Sequence, residues 1–298
     1  MKPEYRNWPE ESRVSDGIDW RVAKSVTVGV DVGTSSAQAA ILCDGELYAW
    51  ASIRAGCDFR RTADDVINLA IGKTGMAREN IRAIGGTGFA RKNILFATEL
   101  LDEVQCHAKG ARFMFGPEVR TVVDMGGQTV KAILLYDWDR VRDFMMNDKC
   151  ATGQGRNLEI LCDMLEVPIV EIGELSLDVP ADPEPVSTTC WAFADTETIG
   201  LLGRPEYRAE PLSKNQIYAS HLFAVAWRIL GVIGRLSPLD VGDLRVQPGL
   251  AFTGGLAKNT GITKRIERAL QTEAMTSPYD PMLAGAIGAA LLAGKEAG

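Results

Sequence analysis

Val26-Thr-Val-Gly-Val-Asp31-Val-Gly-Thr-Ser-Ser36 and Val119-Arg-Thr-Val-Val-Asp124-Met-Gly-Gly-Gln128 decide how this chain is read. Each is a β-rich run that ends in Asp, breaks at a glycine turn and resumes as a second apolar run: strand, tight turn, returning strand. The first returns through Ala39 to Cys43, turns at Asp44-Gly45 and continues as Leu47 to Ile53, and Asp-Gly between apolar runs is a strong hairpin signal. The second returns through Lys131 to Leu135, with a further strand expected over Val141 to Met146. The spacing of the two copies exceeds a solenoid repeat and suits two small α/β units related by duplication. Working outward, the spacing predicts helices over Thr62 to Met76, Arg156 to Leu165, Asn215 to Arg235, Ala257 to Glu273 and Pro281 to Leu292, with strands near Ile81 to Gly85 and Leu250 to Thr253. Strands alternating with helices make an α/β protein. The acidic, proline-containing stretch Glu171 to Pro185 reads as loop.

A strand that ends in Asp beside Gly-Thr-Ser-Ser places a carboxylate next to backbone N–H groups and hydroxyls able to surround a phosphate, and the carboxylate can hold a metal ion through water. One Asp-x-Gly at a strand end is usually only a turn. Two copies, joined by a third glycine turn at Phe252-Thr-Gly-Gly-Leu-Ala-Lys-Asn259, point to a nucleotide cleft. No Gly-x4-Gly-Lys-Ser/Thr is present, and no Gly-x-Gly-x-x-Gly opens a helix, so neither a P-loop nor a dinucleotide fingerprint is expected.

The 298 residues carry a formal charge of −7 and no Lys/Arg run that could follow a phosphate backbone, which argues against nucleic acid. Met282 to Gly294 is short for a membrane span and Ala219 to Leu236 is interrupted by Arg228, so no membrane is expected. Residues 1–24 contain Trp8 and Trp20 but no apolar signal core; they read as an arm lying against the body or a partner, or as a loose tail, and a cytoplasmic location is expected. There the six cysteines (43, 57, 106, 150, 162, 190) should stay reduced, leaving any special one as ligand or nucleophile. Cys150 and Cys190 each precede an expected helix, whose N-terminus favours a thiolate. Without a C-x2-C signature the residues alone leave a ligand role and ordinary burial both open. Cys106 beside His107 admits a metal reading, but a packed cysteine and a hydrogen-bonded histidine are the simpler one.

The three turns resemble those of the actin, Hsp70 and sugar-kinase superfold (ribonuclease H-like), in which two related hairpins clamp the ATP phosphates between duplicated subdomains. The resemblance covers nearly everything after residue 25. It implies that Gly33, Thr34, Ser35 and Ser36 form the first phosphate motif, Gly126 and Gly127 with Gln128 the second, and Gly254, Gly255, Lys258 and Asn259 the adenosine motif. It also implies that Asp124 orients the attacking water or Mg2+ while Asp31 stands on the metal side. Gly85-Gly-Thr-Gly88 and Ala284 to Ala290 fit the connecting segments. The implied division is an arm (1–24), subdomain I (25–116, completed by a C-terminal helix over 278–298) and subdomain II (117–277).

Asn147-Asp-Lys-Cys150-Ala-Thr-Gly-Gln-Gly-Arg156, followed by Cys190-Trp-Ala-Phe-Ala194, narrows this. Together with Glu103-Val-Gln-Cys-His-Ala-Lys-Gly-Ala111 it resembles the ATPase family that activates 2-hydroxyacyl-CoA dehydratases and includes the ATP-hydrolysing subunits of benzoyl-CoA reductases. Where that family's first motif continues with Thr and Lys, this chain has Ala37 and Gln38; where its second reads Gln-Asp-Ser-Lys, Thr129 and Val130 precede Lys131. The resemblance implies ATP/ADP with Mg2+ and one [4Fe–4S] cluster shared between two homologous subunits, each giving Cys150 and Cys190. It further implies reduced ferredoxin as donor and catalytic acyl-CoA-reducing subunits as partners. Length and the segment from Ala284 favour the smaller ATPase subunit of a benzoyl-CoA reductase over a homodimeric dehydratase activator. A cluster-free sugar or acyl kinase, or an actin-like assembly protein, are the readings from other classes.

Overall fold

A computed structural model describes Tyr5 and residues 8–136, 140–147, 153–203, 212–236 and 248–296. The chain forms β1 (Glu11–Val14), β2 (Val26–Val32), β3 (Ser36–Cys43), β4 (Glu46–Arg54), α1 (Phe59–Gly72), β5 (Ala83–Thr87), β6 (Glu99–Leu100) and α2 (Glu103–Phe115). It continues through β7 (Thr121–Met125), β8 (Val130–Leu135), β9 (Val141–Met146), α3 (Gln154–Leu165), α4 (Ile172–Leu175), α5 (Trp191–Gly203), α6 (Lys214–Ile233), β10 (Leu250–Thr253), α7 (Thr260–Leu270) and α8 (Ala284–Glu296). The expected α/β architecture is present.

Two sheets carry it, one in the order β1-β4-β3-β2-β5-β6, the other β10-β7-β8-β9. In each, a hairpin (β2–β3, β7–β8) runs beside a strand added in parallel (β5, β10). Strand alternation then assigns faces. On β2, Val26, Val28, Val30 and Val32 enter a core shared with Ala63, Val66 and Ile67 of α1, so Gly29 and Asp31 turn to the opposite face. On β7, Val123 and Met125 join the large core with α3, α6 and α7, while Val122 packs with Val104, Ala108 and Ala111 of α2, so Asp124 also turns toward α2. One helix thus stands where both strand-end aspartates point.

α8 lies so close on β2, β5 and α2 that glycines are required at the crossings. A Cβ on Gly29 would come within 1.9 Å of the Ala286 carbonyl, one on Gly110 within 1.8 Å of that of Ala284, and one on Gly288 within 1.8 Å of that of Cys106.

β1 belongs to residues 1–24: Glu11–Val14 pairs antiparallel with β4 as an edge strand. α6 is long and apolar enough to cross a membrane, yet it is a core helix with Leu222, Val225 and Ile229 fully buried. The five described cysteines are all free.

Candidate functional site

The tips of the two hairpins face each other across a cleft of about 530 Å³. Gly33 N–H closes the first turn on the Ser36 carbonyl (3.0 Å) and Gly126 N–H the second on Thr129 (2.9 Å). A Cβ on Gly127 would stand 2.4 Å from Ser35 Oγ, so only glycine lets the tips approach. Gly254, at φ +84°, holds the third turn against Met125 and Asp124, where a Cβ would lie 2.8 Å from Asp124 Oδ1. Of the residues expected to bind nucleotide, Gly33, Thr34, Ser35, Ser36, Gly126, Gly127, Gly254 and Gly255 all line this cleft, together with Gln128, Asp31 and Asp124. Asn259 is placed elsewhere: it is buried and its Oδ1 caps α7 through Ile262 N–H (3.1 Å). Lys258 is ion-paired to Asp280 at 2.6 Å.

Behind the tips lies a buried ionic cluster. His107 of α2 stands between the aspartates, Nε2 3.8 Å from Asp31 Oδ2 and Nδ1 3.4 Å from Asp124 Oδ1. Lys131 Nζ donates to Asp124 (3.1 Å), pairs with Glu103 (3.0 Å) and reaches Thr129 Oγ1 (3.1 Å). The aspartates differ in character. Burial pushes the Asp31 carboxyl up to about 6, against the pull of His107. At Asp124 the same burial is outweighed by His107, by Lys131 and by the Thr253 hydroxyl, so its carboxyl lies below the ordinary value. Burial alone would depress Lys131, but Asp124 and Glu103 hold its ammonium above the usual range. Asp31 is further enclosed by glycine: a Cβ on Gly88 or on Gly285 would fall 2.2 or 2.0 Å from its oxygens.

This arrangement suits the phosphates of a nucleotide. Ser35 Oγ is buried without a hydrogen-bond partner, and the turn tips lie beyond the strand ladders. Two carboxylates, one per sheet, offer a hard cation the oxygen ligands it prefers. Among the described residues no three His, Cys, Asp or Glu side chains form a closed metal cage.

A second feature starts at the second turn. Gly153 N–H donates to Gln128 O (2.8 Å) and Arg156 N–H to Gly127 O (2.9 Å), and a Cβ on Gly155 would be 2.8 Å from Gly127 Cα. The N-terminus of α3 is therefore seated on the turn. One residue on, Asn157 donates from Nδ2 to Asp195 of α5 (2.9 Å), and its Oδ1 meets His221 Nε2 at 2.7 Å. Cys190, half-buried, immediately precedes α5. Its loop is held by Arg228, which donates to the carbonyls of Thr188 (2.7 Å) and Ser187 (3.0 Å) and lies 3.5 Å over the Trp191 ring. Trp191 in turn stacks on His221. Burial brings the Arg228 guanidinium down to about 10, partly offset by the neighbouring Cys190 and Asp195. A guanidinium and a helix N-terminus thus stand beside this cysteine. Cys150 lies outside the described residues.

Sequence reasoning did not place His107, Glu103 and Lys131 in the site. The signal for His107 was its position next to Cys106, which proves fully buried while the histidine turns into the cleft.

Two sheets with matching glycine-tipped hairpins, a third glycine turn and paired strand-end aspartates make up the α/β fold of the actin and sugar-kinase type. The chain belongs to the BadF/BadG/BcrA/BcrD ATPase family, whose model matches residues 28–293. It is 35% identical over 272 residues to the 2-hydroxyisocaproyl-CoA dehydratase activator of Clostridioides difficile, covering 91% of this chain and 96% of the relative. A solved structure of that activator with bound ADPNP superposes with a TM-score of 0.80, over 91% of this chain and 95% of the other. The (R)-2-hydroxyglutaryl-CoA dehydratase component A of Acidaminococcus fermentans, 33% identical, gives 0.81 over 92% and 99%. A benzoyl-CoA reductase subunit of Thauera aromatica is 28% identical over 282 residues, covering 90% and 92%.

Proposed function

We propose that this chain is the ATP-driven activator of a 2-hydroxyacyl-CoA dehydratase, acting as a pair of copies that share one [4Fe–4S] cluster through Cys150 and Cys190 of each. The observation that carries the reading is the continuous line from the second phosphate turn, through α3 and Asn157, to Asp195 on the helix that follows Cys190. A change at the γ-phosphate moves Gly127 and Gln128, these carry the N-terminus of α3, and α3 carries α5. The pairing has its own support. In α5 only Ala194 and Thr198 are buried, while Phe193 is 63% and Ile199 58% exposed. An apolar face of this kind beside a ligand cysteine suits a second copy.

The geometry supports the following division of labour. Ser35 and the turn amides hold phosphate oxygens, Asp124, kept ionised by Lys131, orients the attacking water, and Asp31 with His107 carries the opposing lobe. Electrostatic placement supplies most of the acceleration in such sites. The cluster, when bound, supplies one-electron chemistry, fed by a low-potential donor of the reduced-ferredoxin type.

Length and the segment from Ala284 had favoured a benzoyl-CoA reductase subunit; the higher identity to dehydratase activators reverses that order. The reductase reading stays second because the identity to the Thauera aromatica reductase chain extends over 90% of this one. Anaerobic purification tests both. An activator yields a brown homodimer with four irons per two chains, which Cys190→Ala abolishes while ADP binding survives, and which restores a 2-hydroxyacyl-CoA dehydratase when ATP and a reductant are added. Isolation in a hetero-oligomer that reduces an aromatic acyl-CoA would favour the second reading. A colourless, iron-free protein that phosphorylates a small molecule would sink both.

A further inference from the structure

Residues 8–14 lie outside the span matched by the family model, which begins at residue 28, yet the first two of them, Trp8 and Pro9, line the cleft. Glu11–Val14 is zipped onto β4 of the first lobe, and Glu10 Oε1 accepts from Arg54 N–H (3.2 Å). On the far side the Tyr5 carbonyl accepts from Ile169 N–H (2.8 Å), and Tyr5 and Trp8 pack on the core of the second lobe. Between these anchors Trp8 and Pro9 form part of the cleft wall. A residue before proline is confined to extended backbone, which fixes where the indole leaves the chain. The indole lies against the third glycine turn: Nε1 is 3.7 Å and Cδ1 4.0 Å from where a Cβ on Gly255 would be. Lys258 Nζ stands 5.3 Å from the ring centroid.

We infer that this arm completes the nucleotide site, with Trp8 as the aromatic wall against which the purine base stacks; the inference rests on the ATP reading and deepens it. The phosphate end of the cleft is built of hydroxyls, turn amides and charges, whereas around Gly254 and Gly255 it is lined by backbone and by the aliphatic side chains of Leu256 and Met282. A base has a π-face and needs a flat apolar partner there, and Trp8 is the aromatic ring beside that turn. Because the same arm is anchored in both lobes, base stacking also ties occupancy of the cleft to the position of the arm.

The test compares full-length wild type, Trp8→Ala and Trp8→Phe by calorimetry with two probes, a non-hydrolysable ATP analogue and inorganic tripolyphosphate. Trp8→Ala should weaken the ATP analogue roughly five- to a hundredfold, the range seen on removing one stacked aromatic, while Trp8→Phe stays within a few fold. Tripolyphosphate, which has no base, should bind all three equally. Unchanged or tighter binding of the analogue by Trp8→Ala overturns the inference, as does an equal loss for tripolyphosphate, which would make the arm a brace between lobes. Failure of the wild type to bind either probe would overturn the ATP reading as well.

Discussion

Asp31 and Asp124 occupy the same place in duplicated hairpins, yet the side chains around them make them different acids. Asp124 has Lys131 at 3.1 Å and stays ionised; Asp31 is enclosed by glycines and His107. Under the proposed function, replacing Asp124 by Asn keeps shape and removes the charge assigned to orienting the attacking water. ATP turnover should fall by about two orders of magnitude or more, with ADP affinity within a few fold, as a coupled phosphate-release assay and calorimetry would register. His221 supports a prediction of another kind. Burial, aided by Arg228, lowers its imidazole from 6.5 to about 3. Between those values the unfolded chain binds a proton that the folded protein refuses. The contribution of His221 is therefore intact above pH 6.5 and is lost as pH falls toward 3, at about 1.4 kcal/mol per pH unit for one proton. Urea midpoints should drop from pH 7 to pH 5, and His221→Gln should flatten that slope; an equal slope in the variant would refute it.

At the scale of elements, helix α8 shows how a glycine and alanine run can be read. The pattern predicts a helix over Pro281 to Leu292 and the resemblance makes it a connecting segment; in the fold the helix is there, and its small residues let backbone meet backbone. Gly288→Val should force α8 away from Cys106 and cost several kcal/mol. Gly231→Ala on α6, with nothing within 4 Å of the added methyl, should stabilise by about 0.5 to 1 kcal/mol. Thermal melts of the two variants moving in opposite directions would bear this out. The hairpins were legible because alternation, Asp and a glycine turn coincide within a few residues. α2 was not: lying between two lobes, it buries Cys106, His107 and Arg112 along with its alanines and shows no clean apolar stripe. β1 escaped for the opposite reason, since Glu-Ser-Arg-Val has little strand character and takes its register from β4. Helix starts shifted where a cap intervened, as with Asn259 before α7 and Asp58 before α1. Of the ionic cluster behind the turns, Asp31 and Asp124 were legible as strand-end carboxylates, but Glu103, His107 and Lys131 were not, because they join the aspartates only when α2 packs across the ends of the two hairpins.

For the whole molecule, the first sheet lies between α1 and α8 and the second between α2 and the helices α3, α6 and α7, with α2 packed on α8, and the cleft is joined to the Cys190 region through the second turn, α3 and α5. Under the proposed function this lets two sites be coupled without sharing a residue. The order of residues along the chain also has a meaning for biosynthesis. β2 is among the first strands to leave the ribosome, but the glycine at its centre, Gly29, is covered by Ala286 and Ala290 of α8, far along the chain. The first lobe therefore cannot close while the second is still being made. Until α8 emerges, the nascent chain carries an open, glycine-floored sheet face that a chaperone must shelter or a neighbouring chain on the same messenger can seize.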